Sequence, residues 1–321
     1  MAIGTVLSPL GLILASFATQ LWHIYLAQGL LFGIGCGLAF APSLALPSQY
    51  FTRNRSLATG IAVAGSGVGG VSLSPMITQL IQTIGYRDAI RVLGAFGFGI
   101  LVIATSLAFS KFRPASSGHG YFSSMVDIKL LSHDFNVLLV FCFLVPFGYL
   151  GPYFLAPQYA TYLGYDATTG ANLVSIMSGL NSVSRITMGF LADRFGKLNT
   201  MVVTTILAGV IPMVVWQFSY TYGVFVVFCV LYGFTSSVFV SLLPPTLAQV
   251  VGVENIQRAI GMSYMMTFFG SLVGPPLIGV LMQNYGWTAA IQFSGAPTIA
   301  GGLVILYLRM RHSKGKLFMV I

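Results

Sequence analysis

Charge is what this sequence has least of. Only 7% of its 321 residues are Asp, Glu, Lys or Arg, while 56% are hydrophobic. A soluble domain carries about a quarter of its residues as charge, so most of this chain's surface does not face water. Acids are scarcest, six against fifteen Lys and Arg, which leaves a net charge of +9. All six (Asp88, Asp127, Asp134, Asp166, Asp193, Glu254) fall between apolar runs or at their ends. The four histidines (His23, His119, His133, His312) also lie at edges, so Ser66 in Gly65-Ser66-Gly67 has no mid-run base to activate it. Metal-ligand spacing and a Gly-x4-Gly-Lys-Ser/Thr loop are both missing, which argues against zinc chemistry and ATP hydrolysis within the chain. Cys36, Cys142 and Cys229 sit inside apolar runs as small packing residues rather than as a disulfide framework. No enzyme and no cofactor are expected. The basic excess reads as the Lys/Arg enrichment of cytoplasmic loops, not as a nucleic-acid surface.

What is abundant is apolar length. The mean hydropathy is +0.87. About ten runs approach the 20 residues that cross a bilayer: 3–20, 24–47, 58–82, 89–110, 136–160, 168–191, 200–217, 222–247, 259–282 and 289–308. Lipid offers the backbone no hydrogen-bond partners, so spans are helices or closed barrels. These runs lack the alternation of barrel strands. An all-α integral membrane protein in a lipid bilayer follows. Lys and Arg collect in alternate loops (Arg53, Arg55; Lys111, Arg113, Lys129; Arg194, Lys197; Arg258) and in the tail (Arg309, Arg311, Lys314, Lys316). The positive-inside rule then puts both termini in the cytoplasm, with the plasma membrane preferred over an internal one. A Pro/Gly/Ser-rich stretch reads as a linker. It divides a bundle at 1–110 (four spans) from one at 135–310 (six), with a cytoplasmic linker at 111–134 and a cytoplasmic tail at 311–321.

Glycine is plentiful, with 37 residues. Gly29, Gly33 and Gly37, and Gly60, Gly65, Gly67, Gly69 and Gly70, read as close-packing positions between helices. Pro42, Pro47, Pro75, Pro146, Pro152, Pro244, Pro245, Pro275 and Pro276 predict kinked or broken helices.

Residues 58–94 and 259–295 align without gaps at an offset of 201. Ala58, Gly60, Gly69, Pro75 and Gly85 meet Ala259, Gly261, Gly270, Pro276 and Gly286. Two repeats of like orientation are implied. Partners for residues 134–198 are expected before Met1, so about two helices are expected to be missing from the N-terminus.

One ionisable group lies within a span. Arg185 is about six residues from its end, roughly 9 Å deep at helical rise, and Asn181 stands four residues before it in place of an acid. An arginine there costs several kcal/mol unless it meets water, a partner or a ligand. It either snorkels to the interface or faces a cavity and holds an anion, typically a carboxylate, by a forked hydrogen bond. The span ends in Gly189-Phe-Leu-Ala-Asp193-Arg194-Phe-Gly196-Lys197. Topogenic charge in a turn accounts for Arg194 and Lys197 but not for Asp193 or Gly196.

That segment resembles the loop motif of the major facilitator superfamily, where it joins the eighth and ninth of twelve helices. A second segment carries Tyr50, Phe51, Arg53, Arg55, Leu57, Ala58, Gly60 and Gly65. It resembles the fifth-helix signature of the monocarboxylate-porter family, and nearly the whole chain is similar to that family's fungal members. The resemblance implies the major facilitator fold and secondary transport of small organic solutes, monocarboxylates among them, by alternating access, with a proton as coupling partner. The ten spans would be helices three to twelve of an original twelve. Arg185 falls at the position of an eighth-helix arginine that binds the substrate carboxylate, and mammalian members place an aspartate where this chain has Asn181. Gly189, Asp193, Arg194, Gly196 and Lys197 inherit a conformational latch. The other reading is a truncated or sensor-like membrane protein that keeps part of the fold without transporting.

Overall fold

The computed structural model describes residues 1–109 and 130–313. The expected linker up to residue 129, and residues 314–321 of the expected tail, lie outside the described residues. Among the described residues every regular element is helical. Seven helical segments are long and apolar enough to cross a membrane. One of these, Ile256–His312, takes two of the expected spans as its two arms, and the spans expected at 3–20 and 168–191 fall on a 14-residue apolar helix and on a more polar helix described below.

Contacts divide the chain into two compact units. The first comprises Met1–Tyr50 and the described part of Val71–Pro114. It contains α1 (Ala2–Ala15), then α2 (Leu21–Ile24), which runs through a π-helical stretch (Tyr25–Leu31) into α3 (Phe32–Tyr50), the later part of α4 (Arg55–Ile84), and α5 (Tyr86–Leu107). Helix α1 lies close against α3 because small residues oppose each other there. A Cβ on Gly4 would stand 2.6 Å from the Gly35 carbonyl oxygen, and one on Gly11 would stand 2.7 Å from the Phe32 nitrogen. The stripe Gly29, Gly33 and Gly37 is not the packing face: a Cβ on any of them would meet no described atom within 4 Å. The π-helical stretch, with its i→i+5 bonding, shifts the face presented downstream. On α5, Phe96, Ile100, Ile103 and Leu107 are apolar and exposed, as lipid as solvent requires.

The second unit comprises Phe51–Gly70 and the described part of Ala115–Ile321. It holds the start of α4, then α6 (His133–Tyr149), α7 (Gly151–Tyr162), α8 (Ala167–Phe195), α9 (Lys197–Val214), α10 (Tyr222–Thr235), α11 (Val238–Val250) and α12 (Ile256–His312). Residues 51–70 thus group with the C-terminal helices, not with the bundle expected over 1–110.

Two expected spans are broken. The first parts into α6 and α7 at Leu150, with Pro152 in the first turn of α7, where its missing N–H costs nothing. The second parts into α10 and α11 at Ser236 and Ser237, while Pro244 and Pro245 lie inside α11. Helix α12 turns at Gly286 (φ 82°, ψ −178°), and Gly85 (φ 81°, ψ 162°) leads into α5 in nearly the same conformation. These glycines are partners in the internal repeat, and that region of φ/ψ is essentially closed to side chains.

Aromatic rings build the core at one end of the second unit. Trp216 and Phe228 stack at 4.9 Å between centroids, and Tyr159 meets Trp216 edge-on at 5.6 Å. Elsewhere α6 and α12 close on glycines: a Cβ on Gly270 would stand 2.7 Å from the Phe143 carbonyl oxygen. Where α6 begins and α12 ends, Asp134 pairs with Arg311 at 3.2 Å and His312 at 3.1 Å. An acid in a first turn and bases in a last turn also suit both helix dipoles.

Candidate functional site

Helix α8 is the least apolar long helix of the second unit. Its Ser, Thr and Asn residues lower its hydropathy; Thr168, Asn172 and Thr187 are exposed, whereas those in its middle face neighbouring helices. Asn181 and Arg185 are 6% and 8% exposed, and Ser182 and Ser184 are buried beside them. Burial of Arg185 decides against snorkelling to an aqueous interface.

The first half of α4 crosses α8 antiparallel on glycines. A Cβ on Gly60 would collide with the Arg185 carbonyl oxygen, and one on Gly67 would stand 2.7 Å from the Ser178 carbonyl oxygen. From the other side, a Cβ on Gly189 would stand 2.7 Å from the Ser56 carbonyl oxygen. This closeness lets the Arg185 side chain reach α4. Its Nη1 donates to the Val63 carbonyl oxygen at 2.8 Å and to the Ser66 hydroxyl, and its Nη2 donates to the Ser237 hydroxyl at 3.2 Å. Its Nε is buried with no acceptor among the described residues.

The broken helices complete the surroundings. Asn181 Nδ2 donates to the Tyr153 hydroxyl at 3.0 Å and to the Ser237 hydroxyl. Tyr153 and Ser236 share a hydrogen bond of 2.9 Å. At the α10–α11 break the Ser184 hydroxyl donates to the Phe234 carbonyl oxygen, which the interrupted helix leaves without its usual partner. These groups border a cavity of about 210 Å³ whose walls include Ser66, Tyr149, Tyr153, Asn181, Arg185 and Ser237. Among the described residues the guanidinium is held only by neutral oxygens. No described carboxylate compensates its positive charge in this low-dielectric setting, where an anion's attraction is strongest.

The charged turn does something different. Asp193 Oδ1 accepts the Ser56 N–H at 3.0 Å and Oδ2 accepts the Leu57 N–H at 2.9 Å. Both are first-turn donors of α4 with no intrahelical partner, so a carboxylate from α8 caps α4 across 136 residues of sequence. Gly196, at φ 98° and ψ 140°, makes the tight junction from α8 to α9. Arg194 lies over the Phe190 ring at 4.3 Å. Lys197 opens α9.

The fifth-helix signature is scattered by comparison. The Tyr50 hydroxyl donates to the Phe109 carbonyl oxygen at 2.6 Å, and Arg55 Nε donates to the Phe51 carbonyl oxygen at 3.0 Å. Leu57 and Gly60 meet α8, Arg53 is exposed, Ala58 is half-buried, and a Cβ on Gly65 would face open space. None of these eight residues lines the cavity, whereas Arg185 and Asn181 both do. Sequence reasoning passed over Tyr149, Tyr153 and Ser237, and met Ser66 only as a rejected nucleophile. Tyr149, Tyr153 and Ser237 share a signal, a polar residue at or near a helix break, at Leu150-Gly151-Pro152 and at Ser236-Ser237, whereas Ser66 lies within α4 and has none.

Comparison with known proteins agrees with this architecture. The family model described as Major Facilitator Superfamily matches residues 1–252 and, in a second placement, 173–318. The Agnestins efflux protein AgnL12 of Paecilomyces divaricatus is 30% identical, over 98% of this chain and 72% of its own length. Monocarboxylate transporter 12 of Mus musculus is 29% identical, over 96% of this chain and 71% of its own. Among solved structures, the human organic anion transporter MFSD10 (TETRAN) superposes with a TM-score of 0.76 at 13% identity, covering 94% of this chain and 75% of that one. With fungal transporters and monocarboxylate transporters as relatives along nearly its whole length, this multi-pass membrane chain belongs to the major facilitator superfamily.

Proposed function

We propose that the chain carries small organic anions across a membrane by alternating access, with the Arg185 guanidinium as the anchor for a carboxylate. The observation behind this reading is the burial of Arg185 at the cavity with no acidic partner among the described residues. A carboxylate bound there would take the place of weak neutral acceptors and could use the free Nε. Asn181 would orient it through the Ser237 hydroxyl that it shares with Arg185. Monocarboxylates are the first substrate class to try, given the relation to monocarboxylate transporter 12. Efflux of larger organic metabolites is the second, given the equally extensive relation to the Agnestins efflux protein.

In this proposal the Asp193 cap on α4 is a latch. It stabilises one conformation and must open when α4 and α8 part, with Gly189, Arg194, Gly196 and Lys197 shaping the same turn. The distribution of Lys and Arg supports cytoplasmic termini, and the plasma membrane is the proposed setting. A proton is the proposed coupling partner.

The experiment is uptake of a panel of labelled monocarboxylates by transporter-deficient cells expressing the chain. Uptake should depend on Arg185 and be lost in Arg185→Ala at equal surface expression. Unchanged uptake in that variant removes the anchor. No flux of any panel member, with the protein at the surface, favours the non-transporting reading.

A further inference from the structure

A second cavity, of about 440 Å³, opens between the start of α6 and the end of α12. Its walls are Asn136, Val137, Val140, Leu303 and Val304, together with His133 and Tyr307. His133 Nε2 and the Tyr307 hydroxyl are 3.3 Å apart, with their rings edge to face. The volume is that of a small-molecule site, which spans about 300–1,000 Å³. Leu303 and Tyr307 are 55% and 54% exposed, so the groove opens outward from an apolar helical surface.

We propose that this groove binds a sterol, its hydroxyl at the His133–Tyr307 pair and its ring system along the valines and Leu303. Two independent observations single out this occupant. The first is sequence order. Leu303, Tyr307 and Arg311 follow the Leu/Val–Tyr–Lys/Arg pattern proposed for sterol contact. Their four-residue spacing puts all three on one face of α12. The pattern alone is common in apolar helices; here its apolar and aromatic members also line one cavity. The second is charge. Among the described residues, the basic groups that follow Tyr307 by a turn on α12, Arg311 and His312, are both paired with Asp134. A phosphate headgroup would have to compete with that carboxylate. A sterol hydroxyl needs only one donor and one acceptor, which an imidazole nitrogen and a phenol supply.

The site lies apart from Arg185 and does not rest on the transport reading. The test is photolabelling of the purified full chain with a diazirine sterol, followed by peptide mapping. Labelling should concentrate on α6 and α12 and be competed by unlabelled sterol but not by phosphatidylserine. It should fall at least about fivefold in Val140→Trp, which fills the groove, and about threefold in Tyr307→Phe, which keeps the shape but removes the hydroxyl; Arg185→Ala should label as wild type. Tyr307→Phe makes the smallest change and keeps the test decisive if the tryptophan variant fails to fold. Labelling spread evenly over all apolar helices, equal competition by phosphatidylserine, or undiminished labelling of folded Val140→Trp or Tyr307→Phe would overturn the proposal.

Discussion

Asn181 and Arg185, one helical turn apart on α8, donate to the same oxygen, the hydroxyl of Ser237. An amide and a guanidinium thus converge on one neutral hydroxyl, with no carboxylate among the described residues to neutralise the arginine.

That relationship predicts the behaviour of Asn181→Asp. At neutral pH the new carboxylate pairs with Arg185 and occupies the substrate's place, so anion uptake should fall about tenfold, the equivalent of 1.4 kcal/mol. Acidification neutralises the aspartate and frees the guanidinium. Uptake by the variant, measured as a ratio to wild type across pH 5 to 8, should therefore rise as pH falls. A flat ratio would mean that the two side chains do not share a ligand.

Asp193 is predicted to contribute mainly through the two α4 N–H groups it holds. Asp193→Ala leaves both donors without a partner and should cost about 1–2 kcal/mol, as loss of a helix cap does. For a unit of this size that is about 2–4 °C of thermal midpoint per kcal/mol. Asp193→Asn keeps an acceptor but loses the charge and should fall between. Thermal unfolding of the three proteins in one detergent checks the order.

The glycines divide sharply. Gly189→Ala places a methyl against the Ser56 carbonyl oxygen and should separate α8 from the start of α4, at about 1–3 kcal/mol. Gly33→Ala and Gly65→Ala put their methyls in open space and should change stability by less than about 0.5 kcal/mol. Melting temperatures of the three variants separate the packing glycines from the rest.

Much of this was legible in the sequence, for reasons of solvent. A chain so poor in charge must be helical in lipid, and a single arginine within an apolar run stands out because burying it is costly. The Gly196 junction and the Gly85/Gly286 pair were readable because their conformations favour glycine strongly. Long-range partners were not readable. Nothing local to Asp193 points to Ser56 and Leu57, and nothing local to Arg185 points to Ser66. The spacing of Gly29, Gly33 and Gly37 misled because a stripe of small residues marks one helix face without saying which neighbour lies against it. Proline was a poor guide to the α10–α11 break, which lies at Ser236–Ser237, where a neighbouring serine takes up the Phe234 carbonyl.

The role proposed for Arg185 is to hold an organic anion. Binding of a labelled monocarboxylate to the purified chain, by scintillation proximity, tests it without reference to coupling or direction. Two charge-assisted hydrogen bonds lost, at about 1.5–3 kcal/mol each, should weaken binding at least about 100-fold in Arg185→Ala, with a smaller loss in Arg185→Lys, which keeps the charge but not the fork. Equal affinity in wild type and a correctly folded Arg185→Ala would contradict the account.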